Sequence, residues 1–235
     1  MPPIPSRNAK PAKFSETRLM ADLIETDYDI LPVLSRFSIP LGFGSRTVRE
    51  VCESNGIDCN VFLLVVNLLL TGEIDAARMT KADAMAVVRF LHKSHDFYLN
   101  YKYPHIRHNL LEALDPSHSD INPMIVKYFD DYVEGVRKHF DNEEEKLFPY
   151  VKSLSEGHRQ EGYTAESFIR QHDHEVEAKL GELKNIIMRY YTTSMPFRMY
   201  DVLVDIFNCE ADLREHSDVE ENILVPLLRR LEKFN

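Results

Sequence analysis

The chain of 235 residues has no tryptophan, eight glycines and three cysteines. The cysteines are odd in number and none stands in a C-x-x-C pair, which argues against a disulfide framework and against a thiolate zinc site. We therefore predict that Cys52, Cys59 and Cys209 are free thiols that pack in the interior. The sequence also lacks an apolar run of about 18 residues, and the polar, proline-rich amino terminus leads into no apolar segment, so we expect neither a membrane-spanning helix nor a signal peptide.

Positive charge is in the minority. The chain has 28 Lys and Arg against 38 Asp and Glu, which gives a formal net charge of −10. Phosphate backbones and anionic lipid surfaces are bound by clustered Lys and Arg, so neither nucleic acid nor a membrane is an expected partner. With no targeting signal recognised, the expected location is the cytoplasm.

Apolar residues recur every three or four positions through most of the chain, which predicts helices rather than strands. The segment TGEIDAARMT, residues 71–80, interrupts this pattern and predicts a domain boundary. We therefore expect an all-α protein in three parts, with a disordered tail at 1–14, a small helical domain at 15–72 and a larger helical domain at 80–235.

The small domain is predicted to consist of short helices, with Ser45 as an amino-terminal cap and Gly56 as a carboxy-terminal stop. A unit of this size could form a helix-turn-helix. Arginines in the region are offset by acidic residues, however, so DNA binding is not the expected function.

The larger domain is predicted to be an up-down-up-down four-helix bundle, because it contains four long helical patterns joined by shorter loops. The sequence TKAD predicts that Thr80 caps the first helix, and Pro123 fits the first turn of the second. Pro149 and Pro226 are expected to bend or end their helices near the rim of the bundle. The four predicted helices span residues 80–114, 122–152 and 163–191, and from near residue 195 almost to the carboxy terminus.

One pattern occurs twice, as HFDNEEEKLFP at 139–149 and as HSDVEENILVP at 216–226. Residues four apart lie on one face of a helix, so His139 pairs with Glu143 and His216 with Glu220. The apolar neighbours of both pairs predict that they face the interior, where a carboxylate needs a charged partner or a metal.

The other two long helices each offer a histidine on the apolar face. On the first helix His95 lies on the apolar stripe, and His92 lies beside it and stays an alternative. On the third helix His172 lies on the apolar face, whereas His174 is about 200° away and is expected in solvent. Each helix of the bundle would thus contribute one inward imidazole.

Four imidazoles and two carboxylates without a thiolate favour a pair of non-haem iron ions with an oxo or hydroxo bridge. Manganese and zinc are less favoured, and zinc in particular prefers four ligands in a tetrahedron. Glu144, Glu145 and Glu221 are interpreted as solvated groups or as groups that support the ligands. Tyr98 is interpreted as a packing aromatic, with a hydrogen bond to the site as the alternative.

With these residues in view, the sequence resembles hemerythrin-like proteins, and specifically the di-iron proteins that repair iron–sulfur clusters, in which a small helical domain precedes a hemerythrin-type bundle. The resemblance is strongest at the two repeated segments and covers nearly the whole chain after the tail. It implies that Glu143 and Glu220 bridge the irons and makes His118 a further candidate ligand. The terminal iron ligands that it implies are His95, His139, His172 and His216.

Two departures refine the resemblance. Val176 stands where respiratory hemerythrins carry an additional histidine, which implies an open iron position that nitric oxide, dioxygen or peroxide could occupy. In the small domain, the segment Leu41-Gly42-Phe43 stands where the repair proteins carry adjacent cysteines.

The resemblance implies a protein of the nitrosative and oxidative stress response that repairs damaged iron–sulfur clusters, with the damaged iron–sulfur proteins as partners. Two other functions remain open. One is a di-iron oxidoreductase that binds or reduces nitric oxide, dioxygen or peroxide, and the other is a redox or gas sensor. A homodimer also remains open.

Overall fold

The computed structural model describes residues 13–158, 162–171 and 175–234, with side chains described for all of these except 171 and 175–178. Most of the predicted tail, residues 1–12, lies outside this range, as does His172. Within the described residues there is no strand, and a single β-bridge joins Leu19 and Thr47. The all-α prediction is confirmed.

The amino-terminal region consists of five short helices and one 3-10 turn. The third helix is capped by Thr47, whose side chain forms a reciprocal capping box with Glu50, so the predicted cap at Ser45 is wrong by two residues. Phe14 is buried and exchanges hydrogen bonds with the Asn67 amide, at 2.7 and 3.1 Å, and it therefore belongs to the packed chain rather than to a tail. The helices are α1 (Met20–Thr26), α2 (Leu31–Arg36), α3 (Val48–Ser54), α4 (Cys59–Thr71) and α5 (Ala76–Met79), and the 3-10 turn is Tyr28–Ile30.

The rest of the chain contains the four long helical segments that the sequence predicts. The first begins at Ala84 rather than Thr80, because Asp83 accepts a hydrogen bond from the N–H of Met85 and so caps the helix. The segments are α6 (Ala84–Phe97) with α7 (Tyr103–Ala113), α8 (Asn122–Asn142) with α9 (Phe148–Ser155), α10 (Ala165–Gln171) with α11 (Glu175–Tyr190), and α12 (Pro196–Val219) with α13 (Val225–Phe234).

In the described part of the chain, three of these segments contain a π-turn, at Tyr98–Lys102, Glu143–Leu147 and Glu220–Leu224. In each π-turn a backbone N–H bonds to the carbonyl five residues earlier, as Phe148 does to Glu143. A proline stands two residues after each π-turn, and its ring would meet the carbonyl four residues back in a regular α-helix. A wide turn shifts those carbonyls out of α-helical register, so the chain continues as helix to Ser155 and Phe234. Pro149 and Pro226 therefore do not end their helices, and the alternative that they bend them stays a prediction.

The backbone contacts divide the chain into two compact units, one with residues up to 91 together with 219–227, and one with residues 92–218 and 228 onward. This division differs from the predicted boundary between residues 72 and 80. The start of α6 belongs with the short helices because the ring of Phe90 stacks on that of Phe37, with centroids 4.6 Å apart.

The second unit has a continuous apolar core. Aromatic and aliphatic side chains of α7 and α8 meet those of α11 and α12, and burial of this area is the main stabilising contribution. Fully buried members include Leu110, Phe129, Tyr132, Leu183, Val202 and Ile206. No helix among the described residues is both long enough and apolar enough to cross a bilayer.

The Asp115 carboxylate ties two loops of the second unit together. It accepts hydrogen bonds from the N–H and hydroxyl of Ser117, at 2.9 and 2.7 Å, and from the N–H of Ser194, at 2.7 Å. The backbone N–H of Asp115 donates to the hydroxyl of Tyr191 at 2.7 Å. Hydrogen bonds from Ser194 and Ser117 hold the pKa of Asp115 well below its ordinary value.

Candidate metal centre

The first predicted pair, His139 and Glu143, lies where α8 passes into the second π-turn. The Nε2 atom of His139 is 2.9 Å from Oε1 of Glu143. Glu143 is fully buried, whereas the His139 side chain is 20% exposed. A buried carboxylate with an imidazole one turn away is the arrangement that the repeated sequence motif predicts.

His95, at the end of α6, approaches the same carboxylate from another helix. Its Nε2 atom is 3.1 Å from Oε2 of Glu143 and makes no hydrogen bond to the described residues. The imidazole is stacked on the ring of Phe140 at 4.0 Å and on that of Phe148 at 5.4 Å, with interplanar angles of 15° and 11°. These aromatic rings fix the plane of the imidazole and leave its Nε2 edge directed at the carboxylate.

The second predicted pair, His216 and Glu220, lies where α12 passes into the third π-turn. His216 is 1% exposed and Glu220 is fully buried. The imidazole of His216 is 5.2 Å from that of His95, and the ring of Tyr98 meets it edge-on at 5.9 Å. Tyr98 therefore contacts a ligand candidate through its ring, and the choice between a packing role and a hydrogen bond to the site stays a prediction.

Four of the predicted residues come together in one buried cluster. Ligand atoms of His95, Glu143, His216 and Glu220 all lie within 4.8 Å of one another. Burying two carboxylates beside two imidazoles costs free energy unless the negative charge is neutralised, and a bound cation neutralises it. Imidazole and carboxylate oxygen together suit a first-row transition metal.

Glu144 has a more definite role than the sequence indicated. Its Oε1 atom is 2.7 Å from Nδ1 of His95 and 2.8 Å from Nδ1 of His92. Burial alone would raise the pKa of Glu144, but the hydrogen bonds from His95 and His92 outweigh it and lower the pKa. A carboxylate that accepts from Nδ1 fixes the tautomer in which Nε2 is the free metal-binding atom.

Tyr163 is a second residue near the cluster that sequence reasoning missed. Its hydroxyl is buried and makes no hydrogen bond with the part of the chain that the structure describes. Burial, together with the negative charge of Glu143, raises the pKa of Tyr163 to about 12. Tyr163 lies in the segment that leads into α10, where no periodic pattern marks it as an interior residue.

The other candidates among the described residues lie outside the cluster. His92 is 52% exposed and reaches the cluster only through Glu144. His118 lies beside Thr192 and the ring of Tyr191, which places it in the loop region that Asp115 organises. Glu145 and Glu221 are exposed, as expected of solvated acidic residues. His172 lies outside the described residues, so its place as a ligand stays a prediction.

Comparison with known proteins identifies a family for this chain. The model of the hemerythrin HHE cation binding domain matches residues 102–228, which is more than half of the chain and includes the repeated His and Glu pairs. His95 lies just before the matched range. A search among curated proteins found no match. Since the family model covers most of the helical bundle and both copies of the motif, the chain belongs to the hemerythrin HHE cation-binding domain family.

Proposed function

We propose that the buried cluster holds two non-haem iron ions and that the protein acts in the response to nitrosative or oxidative stress, by repairing damaged iron–sulfur clusters. The observation that carries the proposal is the convergence of His95, Glu143, His216 and Glu220 within 4.8 Å in the protein interior. His139, which contacts Glu143, and His172, which lies outside the described residues, complete the proposed ligand set. The stress and repair role rests on the resemblance of the two-part chain to the repair proteins.

The donor atoms fit iron better than manganese or zinc. The cluster has oxygen and nitrogen donors, and no cysteine of the described residues belongs to it. Two carboxylates bring a charge of about −2 into a buried site, and a pair of divalent ions balances this with charge to spare for an anionic ligand. Zinc would be served by four ligands, so six donors favour a dinuclear site.

Metal analysis of the purified protein tests the site. We expect two irons per chain in the wild type and a loss of iron in the His139→Ala and Glu143→Ala variants. The His118→Ala variant is the matched control, because it removes an imidazole that lies beside Thr192 and Tyr191 instead of in the cluster. One metal per chain, or zinc in place of iron, would contradict the di-iron proposal.

The repair role has its own test. Iron-loaded protein is mixed with an enzyme whose iron–sulfur cluster has been damaged by nitric oxide, and the recovery of that enzyme's activity is followed. We expect recovery with the wild type and none with the iron-free His139→Ala variant. Equal recovery with both proteins, or with free ferrous iron at the same concentration, would exclude repair while leaving the metal site intact.

The burial of the site favours a second candidate function, the binding and reduction of nitric oxide, dioxygen or peroxide. Among the side chains of His95, His139 and Glu143, that of His139 is the most exposed, at 20%. A molecule that reaches the cluster from solvent must therefore be small. When bound, iron would supply the electrons. Stopped-flow mixing of reduced protein with each small molecule distinguishes the two functions, since reduction predicts repeated turnover with an added electron donor and repair does not.

A further inference from the structure

Helix α12 has two apolar faces. One face packs into the core of the second unit through side chains such as those of Val202 and Ile206, which are fully buried. The opposite face is also apolar, but its side chains are exposed to solvent. A surface helix ordinarily has one apolar face, and a helix that is apolar all round is normally covered all round. The exposed side chains are those of Phe197, Tyr200, Val204 and Phe207, at 80%, 59%, 57% and 45% exposure.

The exposed side chains follow the spacing of a coiled-coil seam. They stand at intervals of three, four and three residues, and the exposed Ala211 follows four residues later. Alternating steps of three and four place side chains in one line along a helix, and two helices that each carry such a line can pack side by side along it. Arg214 stands at the next position of this spacing, so the apolar line ends at Ala211. We refer to Phe197, Tyr200, Val204, Phe207 and Ala211 as the outer seam.

Contacts within the chain orient the aromatic side chains of the outer seam. The rings of Phe197 and Tyr200 meet edge to face, with centroids 6.3 Å apart and an interplanar angle of 89°. The ammonium group of Lys184, on α11, lies over the ring of Phe207, 4.2 Å from its centroid. Side chains that are already oriented lose less conformational entropy when a partner covers them.

Charged side chains on both flanks of the outer seam have partners within the chain. On the α7 side, Arg198 pairs with Glu112 at 3.1 Å, and on the α11 side, Lys184 pairs with Glu210. Asp201 is exposed beside the outer seam and adds negative charge. This pattern suits neither nucleic acid nor an anionic lipid surface, because both are bound by clusters of free Lys and Arg. An apolar strip with polar flanks is instead typical of an interface between proteins.

The exposed area of the outer seam matches what a symmetric dimer needs. A Phe or Tyr side chain offers about 200 Å² for burial, so at the observed exposures the outer seam offers roughly 450 Å² of apolar surface. Two copies packed on each other would remove roughly 900 Å² of apolar surface from water, and because about 57% of an interface is non-polar, the whole interface would cover about 1,600 Å². Stable protein interfaces bury about 1,200–2,000 Å² in total.

We propose that α12 forms the centre of a two-fold symmetric dimer, in which the outer seam of one copy packs against the outer seam of a second copy. Two-fold symmetry lets a single apolar strip serve both chains, because the same residues occupy both sides of the interface. The interface uses the face of α12 opposite the core and does not depend on the proposed iron site.

Analytical ultracentrifugation of the full chain over a range of concentrations tests the dimer. We expect the mass of a dimer at high concentration and a shift towards the monomer on dilution. Val204→Glu places a charge in the middle of the outer seam of both copies and should weaken dimerisation by about 100-fold or more. Because Val204 is 57% exposed, the variant should fold as the wild type does, which circular dichroism checks.

Leu111→Glu is the matched control for this experiment. Leu111 is 45% exposed and lies on α7, where it lines a groove with Val126 and Lys127 of α8, away from the outer seam. We expect this variant to dimerise as the wild type does. A wild type that stays monomeric at every concentration would overturn the proposal, and so would a Val204→Glu variant that dimerises as well as the wild type.

Fluorescence tests where the interface lies, because the chain has no tryptophan. Tyr200→Trp introduces a single reporter into the outer seam. Its emission should shift to shorter wavelength as the protein concentration rises, because the indole ring leaves water when the dimer forms. The emission of Leu111→Trp, the control, should stay constant. Constant emission from Tyr200→Trp in a chain that dimerises would place the interface elsewhere and overturn the proposal.

Salt distinguishes an apolar interface from one that ion pairs hold together. Each copy has a formal net charge of −10, so two copies repel each other at low salt, and added salt screens this repulsion. We expect the dimer to persist or to become tighter as sodium chloride rises from about 0.05 M to about 0.5 M. A dimer that weakens over this range would depend on ion pairs, and that result would refute the outer seam as its basis.

Discussion

Replacing Glu144 by Ala tests whether this carboxylate prepares His95 to bind metal. In the wild type, Glu144 accepts from Nδ1 of His95 at 2.7 Å, which leaves Nε2 facing Glu143. Without the carboxylate, the neutral imidazole can place its proton on either nitrogen, and its ring loses one of the contacts that fix its orientation. The metal must then select the correct tautomer and orientation, and its affinity falls.

The structure indicates how much metal affinity the Glu144→Ala variant should lose. Partners that orient a metal-binding histidine are commonly responsible for about 10-fold to 100-fold in metal affinity. The Glu144 side chain is 32% exposed, so solvent weakens its interaction with His95. The stacking of Phe140 and Phe148 on the His95 ring also remains in the variant. We therefore expect the lower end of the range, about tenfold, which corresponds to about 1.4 kcal/mol per bound ion.

The assay is competition for ferrous iron between the protein and a chelator of known affinity, followed by the absorbance of the chelator complex under anaerobic conditions. Glu145→Ala is the matched control, because it removes the same charge from the next residue along the chain, which is exposed. His92→Ala should also retain wild-type affinity, since His92 contacts Glu144 and not the cluster. Equal losses in the Glu144→Ala and Glu145→Ala variants would show that only net charge matters and would refute the reasoning.

Three further predictions concern stability. The pKa of Asp115 is held below its ordinary 3.8, so the folded state releases this proton more readily than the unfolded state. The ionised carboxylate therefore stabilises the fold above about pH 4, and this stabilisation is lost as the pH falls through the lower pKa of the folded state. Urea denaturation at about pH 7 and pH 3 should show that Asp115→Asn is less stable than the wild type at neutral pH and loses less stability on acidification. Tyr163→Phe removes a buried hydroxyl and should leave the free energy of unfolding of the metal-free protein unchanged or raise it by up to about 1 kcal/mol, whereas a clear loss would reveal a partner for that hydroxyl. Deletion of Glu145 should shorten the second π-turn and rotate α9 by about 100°, which would turn the buried Tyr150 away from its packing. We expect the free energy of unfolding, measured by thermal unfolding, to fall by about 3 kcal/mol or more. A one-residue deletion in the loop between α7 and α8 serves as the control.

Much of the fold could be predicted from the spacing of apolar residues and from residues that mark the ends of helices. The three-to-four residue spacing of apolar side chains predicted the long helices, and Pro123 fell in the first turn of α8 as predicted. The pairing of His139 with Glu143 could be foreseen as well, because neighbours on one helix face are fixed by backbone geometry alone. The inward face of His95 was predictable for the same reason.

Contacts between helices could not be foreseen in the same way. The approach of Glu144 to His95 depends on how α6 and the second π-turn meet, and a run of three glutamates does not indicate which one turns inward.

The π-turns change how sequences of this kind should be compared. Two of the three begin at a glutamate of the cluster, and each accommodates one residue more than a regular helical turn would. A single-residue gap in an alignment at these positions therefore stands for a rotation of everything downstream, and no loop is available to absorb it. Relatives that lack the extra residue would present a different face of α9 or α13 while preserving the His-x3-Glu motif, so the motif alone does not establish that two chains share the same arrangement beyond the site.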